Sequence, residues 1–243
     1  MIPKDHPRYK SLVTREHLAE CARAGIVSLE GLTSHGRGEA FDYLLGEKTS
    51  ESAQRAEKTA AALLRTAKHP VLSVNGNTAA LAAREIALLQ KASGALVEVN
   101  LFHRTPERVQ QIETVLRDAG ADVFSGEAER LLPLSHDRAW CRREGMYAAD
   151  VVLVPLEDGD RCEVLVGMGK KVIAIDLNPL SRTAKTATLT VVDEVTRALP
   201  EIAKACTALS DEKCRSLVAA LDNRVFLQEA KEEMARRLLH VLD

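Results

Sequence analysis

From residue 70 onward, short apolar runs alternate with amphipathic stretches. The runs at 71–74, 95–99, 121–124, 151–154, 172–175 and 189–192 are built from Val, Ile, Leu and Ala with few polar interruptions. Several are apolar on both faces, the pattern of parallel strands covered above and below. Residues 79–93, rich in Ala and Leu, predict a helix that stops at Gly94. Residues 107–119 predict another, with Val109, Ile112, Val115 and Leu116 on one face. Thr105 is its expected N-cap, Pro106 its first residue and Gly120 its stop. Strands alternating with helices predict right-handed crossovers and a Rossmann-like, doubly wound, mainly parallel α/β sheet. Helical segments at 14–24 and 51–67 precede this core. Two or three more follow at 195–241, ending in a charged amphipathic stretch at 227–242. No repeat, low-complexity tract or Pro/Gly linker divides the chain. We read 1–243 as one domain: a helical segment 1–69, a sheet core 70–194 and C-terminal helices 195–243.

Composition narrows the function. Apolar residues make up 46% and charged residues 28%, while aromatics are only 3%, so aliphatic side chains must fill the core. A formal net charge of -2 gives no electrostatic reason to expect nucleic acid or a membrane surface as partner. No stretch approaches the ~18 apolar residues of a membrane span, and the polar start MIPKDHPRYK is unlike a signal peptide. The expected location is the cytoplasm. Cys21, Cys141, Cys162, Cys206 and Cys214 form no C-x-x-C pair. They read as free thiols, without a disulfide framework or a structural zinc.

In an open parallel sheet, ligands bind beyond the carboxyl ends of the strands, and five of the six expected strands run there into polar clusters. Asn75-Gly76-Asn77 lies between a strand and a helix, where free amides and the helix dipole favour an anion. It also suits a tight turn with an Asx cap. Neither a Walker A loop nor G-x-G-x-x-G is present, and Gly167 and Gly169 read as a helix stop before a strand. Residues 34–43, SHGRGEAFDY, predict a polar loop in which glycines around Arg37 let backbone approach a phosphate that the guanidinium grips. His35 there could donate to phosphate or move a proton. Glu157, Asp158 and Asp160 offer carboxylates within four residues, suited to Mg2+ or to a helix start. Asp176 could hold a ribose hydroxyl or a metal-bound water; Arg104, Arg182 and Lys185 add cations on the same rim.

The strings IPKDHPRY, SHGRGEAFDYLLGE, VNGNTAAL, NLFHRT, VPLEDGDR and AIDLNPLSRTA closely resemble the archaeal phosphopantothenate synthetases, or 4-phosphopantoate–β-alanine ligases. The resemblance runs from about residue 2 to about residue 200. It implies a Rossmann-like homodimer that requires Mg2+ and condenses 4-phosphopantoate with β-alanine. ATP is consumed to AMP and pyrophosphate through an acyl-adenylate, in coenzyme A biosynthesis. It further implies ATP contacts at Arg15, Arg37, Asp176, Leu177, Asn178, Arg182 and Thr183 and at the turn Glu194-Val195. Glu194 stands where related sequences commonly carry Asn, and His103 where Tyr is frequent. The residues themselves suit this chemistry. Two mutually repelling phosphorylated reactants need several fixed cations, a metal and backbone donors. The acid's phosphate is expected on Asn75-Gly76-Asn77 or Arg104. His35, Glu39 and Asp158 are candidate bases for β-alanine, with no choice among them. A nucleotide-binding regulator without turnover, or an ADP-forming ligase or kinase on a related acid, are the alternatives.

Overall fold

The structure is a computed structural model, and it describes residues 2–156 and 158–240. Helices α1 (Tyr9–Arg23), α2 (Leu29–Leu45) and α3 (Glu51–Thr66) come first. They are followed by β1 (Pro70–Val74), α4 (Gly76–Ser93), β2 (Leu96–Val99) and α5 (Pro106–Asp118). A two-residue hairpin, β3 (Glu129–Arg130) with β4 (Trp140–Cys141), interrupts the alternation. β5 (Val151–Pro155), α6 (Gly159–Gly167), β6 (Lys171–Ile175), α7 (Arg182–Thr186) and β7 (Leu189–Val191) resume it, and α8 (Val195–Ala208), α9 (Asp211–Ala219) and α10 (Asn223–His240) close the described chain.

Among the described residues one parallel sheet forms, in the order β2-β1-β5-β6-β7. The chain winds one way from β1 to β2 and the other way from β5 to β7, so the order reverses between β1 and β5. That reversal opens a crevice at the carboxyl edge. The expected doubly wound α/β architecture is therefore present. The strand expected at 121–124 is not. Val123 makes one isolated bridge to Val97 and Phe124 N donates to Val97 O. The chain then turns away through Gly126 at φ 139°, which leaves β2 as the edge.

Residues along each strand alternate between two cores, as a period of two requires. Leu72, Leu153, Ile173 and Ile175 join one core with residues of α3, α4, α5 and α8, including Leu63, Ile86, Ile112 and Ile202. Val71, Val152, Val154, Val172 and Ala174 face the other, with Cys162 and Leu165 of α6. Asn223, at the start of α10, accepts from Thr190 N at 2.7 Å and donates to the Ala184 and Ala187 carbonyls, tying the C-terminal helices to β7. All five cysteines are free and buried.

Two local readings differ in outcome. The C-terminus of α6 ends as its sequence suggests, with Gly169 at φ 82°. Residues 34–43, expected as a loop, lie instead inside α2. The Ser28 hydroxyl caps α2 by accepting from Gly31 N, and Gly46 ends it in the left-handed region at φ 84°. An interior glycine costs a helix about 1 kcal/mol, and packing outweighs that here. Gly38 lies against Leu177, where a Cβ would meet Cδ1 at an ordinary 3.6 Å. Gly36 would meet nothing within 4 Å, so neither glycine is required by a crowded neighbour. Gly31 and Gly76 are.

A Cβ on Gly76 would lie 2.1 Å from the Ile26 carbonyl oxygen. Gly76→Ala is therefore expected to cost about 2 kcal/mol or more in a urea unfolding experiment, because backbone must move. Gly167→Ala, where a Cβ meets nothing within 4 Å, is expected to be neutral or stabilising by roughly 0.5 kcal/mol. Equal midpoints for the two variants would contradict this packing.

Candidate active site

β1 ends at the reversal point, and the next residue, Asn75, is buried. Its side-chain Oδ1 accepts from Thr78 N at 2.9 Å and from the Thr78 hydroxyl at 3.1 Å, which caps α4. Its Nδ2 donates to the Pro155 and Leu156 carbonyls at 3.0 and 3.2 Å. One amide thus fixes a helix N-terminus to the end of the neighbouring strand. Asn77 reaches the other way, donating from Nδ2 to Gly31 O at 2.8 Å. Gly31 must stay bare, since a Cβ there would lie 2.3 Å from Asn77 Oδ1.

The starts of α2 and α4 and the residues around Asp158 border a cleft of about 280 Å3, with Phe102 and His103 at one side. Helix N-termini gathered in this way favour an anion. Two cations that sequence reasoning overlooked line the cleft. Arg108 is stretched across it, donating to Ile26 O and to His103 O. Arg138 is buried, donating to Asn100 O at 3.3 Å and pairing through Nε with Asp158 Oδ2 at 2.9 Å. Arg104 is not among the lining residues. Its amide donates to Asp137, and its guanidinium lies among Arg142, Glu113 and Glu98. On α5 the guanidinium that enters the cleft comes from one turn further on.

Two of the three carboxylates expected to cluster, Asp158 and Asp160, turn to different partners. Glu157 lies outside the described residues. Asp158 pairs with Arg138, and Asp160 meets His136 Nε2 at 2.6 Å, with His136 stacked on Phe102. Burial works against ionising Asp160, but hydrogen bonds from His136 and the Arg161 amide hold its carboxyl below the usual range. Among the described residues no group of three or more His, Cys, Asp or Glu could hold a metal ion.

A second, tighter pocket of about 40 Å3 lies beneath α2. Leu81, Leu156, Ile175, Leu177 and Val195 wall it, and His35 and Glu194 are among its polar members. Burial holds the His35 imidazole below its ordinary pKa, against the pull of Glu39 and Glu194. His35 Nε2 finds no hydrogen-bond partner among the described residues. Glu39, one turn on, is engaged by Arg15 Nε and the Ser11 hydroxyl, each at 2.8 Å. Glu194 caps α8, accepting from Thr196 N at 2.9 Å. Its side chain thus holds a helix start, a role the shorter Asn also fills well.

Asp176 continues the rim after β6. It accepts from Asn178 N at 2.9 Å and from the Ser181 hydroxyl at 2.5 Å. Burial pushes its carboxyl up, while these bonds and the nearby Arg37 pull it down. Arg37 is exposed. Arg182 is also exposed, 3.5 Å from Glu163 and 3.7 Å from Asp160, and it lies over Gly159, where a Cβ would be 2.4 Å from its Nε. Thr183 is buried in α7. Of the expected site residues, Asn75, Gly76, Asn77 and Asp158 line the cleft, and His35, Glu39, Leu177, Glu194 and Val195 line the pocket beneath α2; Arg15, Arg37, Arg104, Asp176, Asn178, Arg182 and Thr183 line neither.

The model of the family described as phosphopantothenate/pantothenate synthetase matches residues 52–237. The chain belongs to that family. A 4-phosphopantoate–β-alanine ligase of Methanospirillum hungatei is 63% identical over 243 residues, covering 100% of both chains. One from Methanosarcina mazei is 52% identical, covering 98% of this chain and 95% of the relative. One from Thermococcus kodakarensis is 47% identical over 248 residues, covering all of this chain and 92% of the relative.

In this synthetase-family chain the end of α2 is held by a charge network that the sequence did not reveal. Arg197 grips Asp42 at 2.5 and 3.1 Å and Asp193 at 2.6 and 2.9 Å, while Thr49 donates to Asp193 at 2.6 Å. Glu57 abuts Asp193. It is 2% exposed, and burial together with the Asp193 carboxylate pushes its pKa up to about 8. A carboxyl with a folded pKa above its unfolded value binds its proton more tightly when folded. Stability therefore falls as pH rises from about 4.5 towards about 8. Glu57→Gln is expected to flatten that slope and to be the more stable protein at pH 8, by roughly 2 kcal/mol. Thermal unfolding of the two proteins at pH 5 and pH 8 measures it. Parallel pH profiles would contradict the assignment.

Proposed function

We propose that this chain is an AMP-forming 4-phosphopantoate–β-alanine ligase. The observation that carries the reading is 63% identity to a relative of that name over the whole of both chains. The two pockets on one sheet edge agree with it. Phosphopantoate occupies the cleft at the N-termini of α2 and α4, with its phosphate on Asn75, Gly76 and Asn77 and near Arg138 and its carboxylate directed towards ATP. ATP lies along the other side, its adenine against Leu177 and the Glu194-Val195 turn. Its ribose is near Asp176 and Asn178, and its phosphates lie among Arg15, Arg37, Arg182 and Thr183. A carboxylate is a poor electrophile, so its oxygen first attacks the α-phosphorus and pyrophosphate leaves. The amine nitrogen of β-alanine then attacks the acyl carbon, and AMP leaves.

Of the three candidate bases, His35 fits best. Glu39 is paired with Arg15 and Asp158 with Arg138. His35 stays neutral near pH 7 because burial lowers its pKa, and its Nε2 is unpartnered among the described residues. It is thus able to accept the ammonium proton as the C–N bond forms. Mg2+ fits as a companion of the ATP phosphates, since it takes most of its ligands from phosphate and water and needs no protein cage. It would shield the charge of the triphosphate when bound.

The protein is read as a cytoplasmic homodimer. Five free thiols suit a reducing compartment, and no described helix is long and apolar enough to cross a membrane. Leu238 and Leu239, exposed in the last described turn of α10, suit a twofold contact. Sedimentation equilibrium is expected to return twice the 26.5 kDa chain mass; a monomer at micromolar concentration would count against it.

The reaction is tested by omitting each substrate in turn and separating nucleotides by chromatography. AMP and pyrophosphate are expected only with phosphopantoate present; ADP would select the other class of ligase. His35→Asn is expected to lower kcat/KM for β-alanine by about 100-fold, while phosphopantoate-dependent exchange between ATP and pyrophosphate persists. Loss of both activities together would remove His35 from the amide-forming step.

A further inference from the structure

Leu156, directly after β5, stands in a conformation that its residue type disfavours. Its φ is +54°, in the left-handed region where a branched, bulky side chain is strained. The residue is tethered there: Leu156 N donates to Ile175 O at 3.1 Å, and Leu156 O accepts from Asn75 Nδ2 at 3.2 Å. Held in this way, it lines both the cleft at the start of α4 and the pocket beneath α2. Glycine would take the same backbone shape without strain, so the structure keeps a side chain at a position where the backbone favours having none.

Resting on the reaction proposed above, we infer that the Leu156 side chain is the partition at which the two substrates meet, and that it keeps water from the activated acyl group. The phosphopantoate carboxylate reaches the α-phosphorus of ATP past this wall. Once the acyl–phosphate bond has formed, an apolar side chain beside it leaves β-alanine as the nucleophile with access. Without the side chain, water enters. Its oxygen attacks the acyl carbon, the bond from that carbon to the phosphate oxygen breaks, AMP departs, and a proton passes to solvent. Phosphopantoate is regenerated and one ATP is spent without product. Leu156 acts as a positioning and shielding residue; it supplies no proton and no charge.

The test is a stoichiometry. AMP and phosphopantothenate are quantified in the same reaction for the parent, Leu156→Gly and Leu156→Met. The parent is expected to release one AMP per product. Leu156→Gly is expected to keep its thermal midpoint, lose about tenfold in turnover and release about threefold more AMP per product. Leu156→Met, which keeps apolar bulk, is expected to stay close to the parent ratio. A parent-like ratio in Leu156→Gly, whatever its turnover, would overturn the inference, as would a Leu156→Met as uncoupled as the glycine variant. ADP from the parent enzyme would instead overturn the AMP-forming reading, and it is detected before any variant is made.

Discussion

Asn75 is the joint on which the site is built. A parallel sheet whose winding reverses leaves the ends of β1 and β5 side by side, each with backbone groups that no further strand satisfies. One side-chain amide settles both ends. Its oxygen takes an N–H and a hydroxyl at the start of α4, and its nitrogen donates to two carbonyls at the end of β5 and just after it. Aspartate has the oxygens for the first task and lacks donors for the second, while serine lacks the reach. Pocket geometry, the entry into α4 and the shape of the chain at Leu156 all follow from that connection.

The charges around the rim divide into those that hold the protein together and those with capacity to spare. Arg108 donates to backbone carbonyls, Arg197 to two aspartates, and Arg15 to Glu39. Arg37 and Arg182 are exposed, and Arg182 lies 3.5 Å from Glu163 and 3.7 Å from Asp160. Exposed pairs are worth little to stability. The pairings of Arg182 therefore contribute little to folding.

Much of the fold was legible because its strands are short, apolar and bounded by turn residues. The run at 121–124 has the same composition and still failed to become a strand. Composition cannot say whether a neighbour offers a full ladder, and Val97 offers Val123 a single bridge. The expected loop at 34–43 is part of helix α2 for a related reason. Glycines at 31, 36, 38 and 46 resemble a loop, yet one is needed for close packing on Asn77, one ends the helix, and the others are tolerated. The site was partly legible: polar residues after strands mark a rim whatever the partners are. Arg108, Arg138 and Arg197 escaped notice because a cation's importance depends on burial and on groups distant in sequence. Arg104 is legible as a rim cation because it lies close after a strand end, whereas Arg108 reaches the cleft from within α5. Thr105 at the N-cap was the available hint, since it fixes which residues of α5 share a face.

Helix α2 is fastened near each end by a different kind of contact: a single amide from Asn77 at its start, and the Arg197 guanidinium on Asp42 at its finish. Between them, Glu39 takes Ser11 and Arg15 from α1, so the helix is held along its length as one body. Gly31 borders the cleft at the start of α4 and Asp42 the pocket beneath α2, so one helix is a shared wall of both chambers.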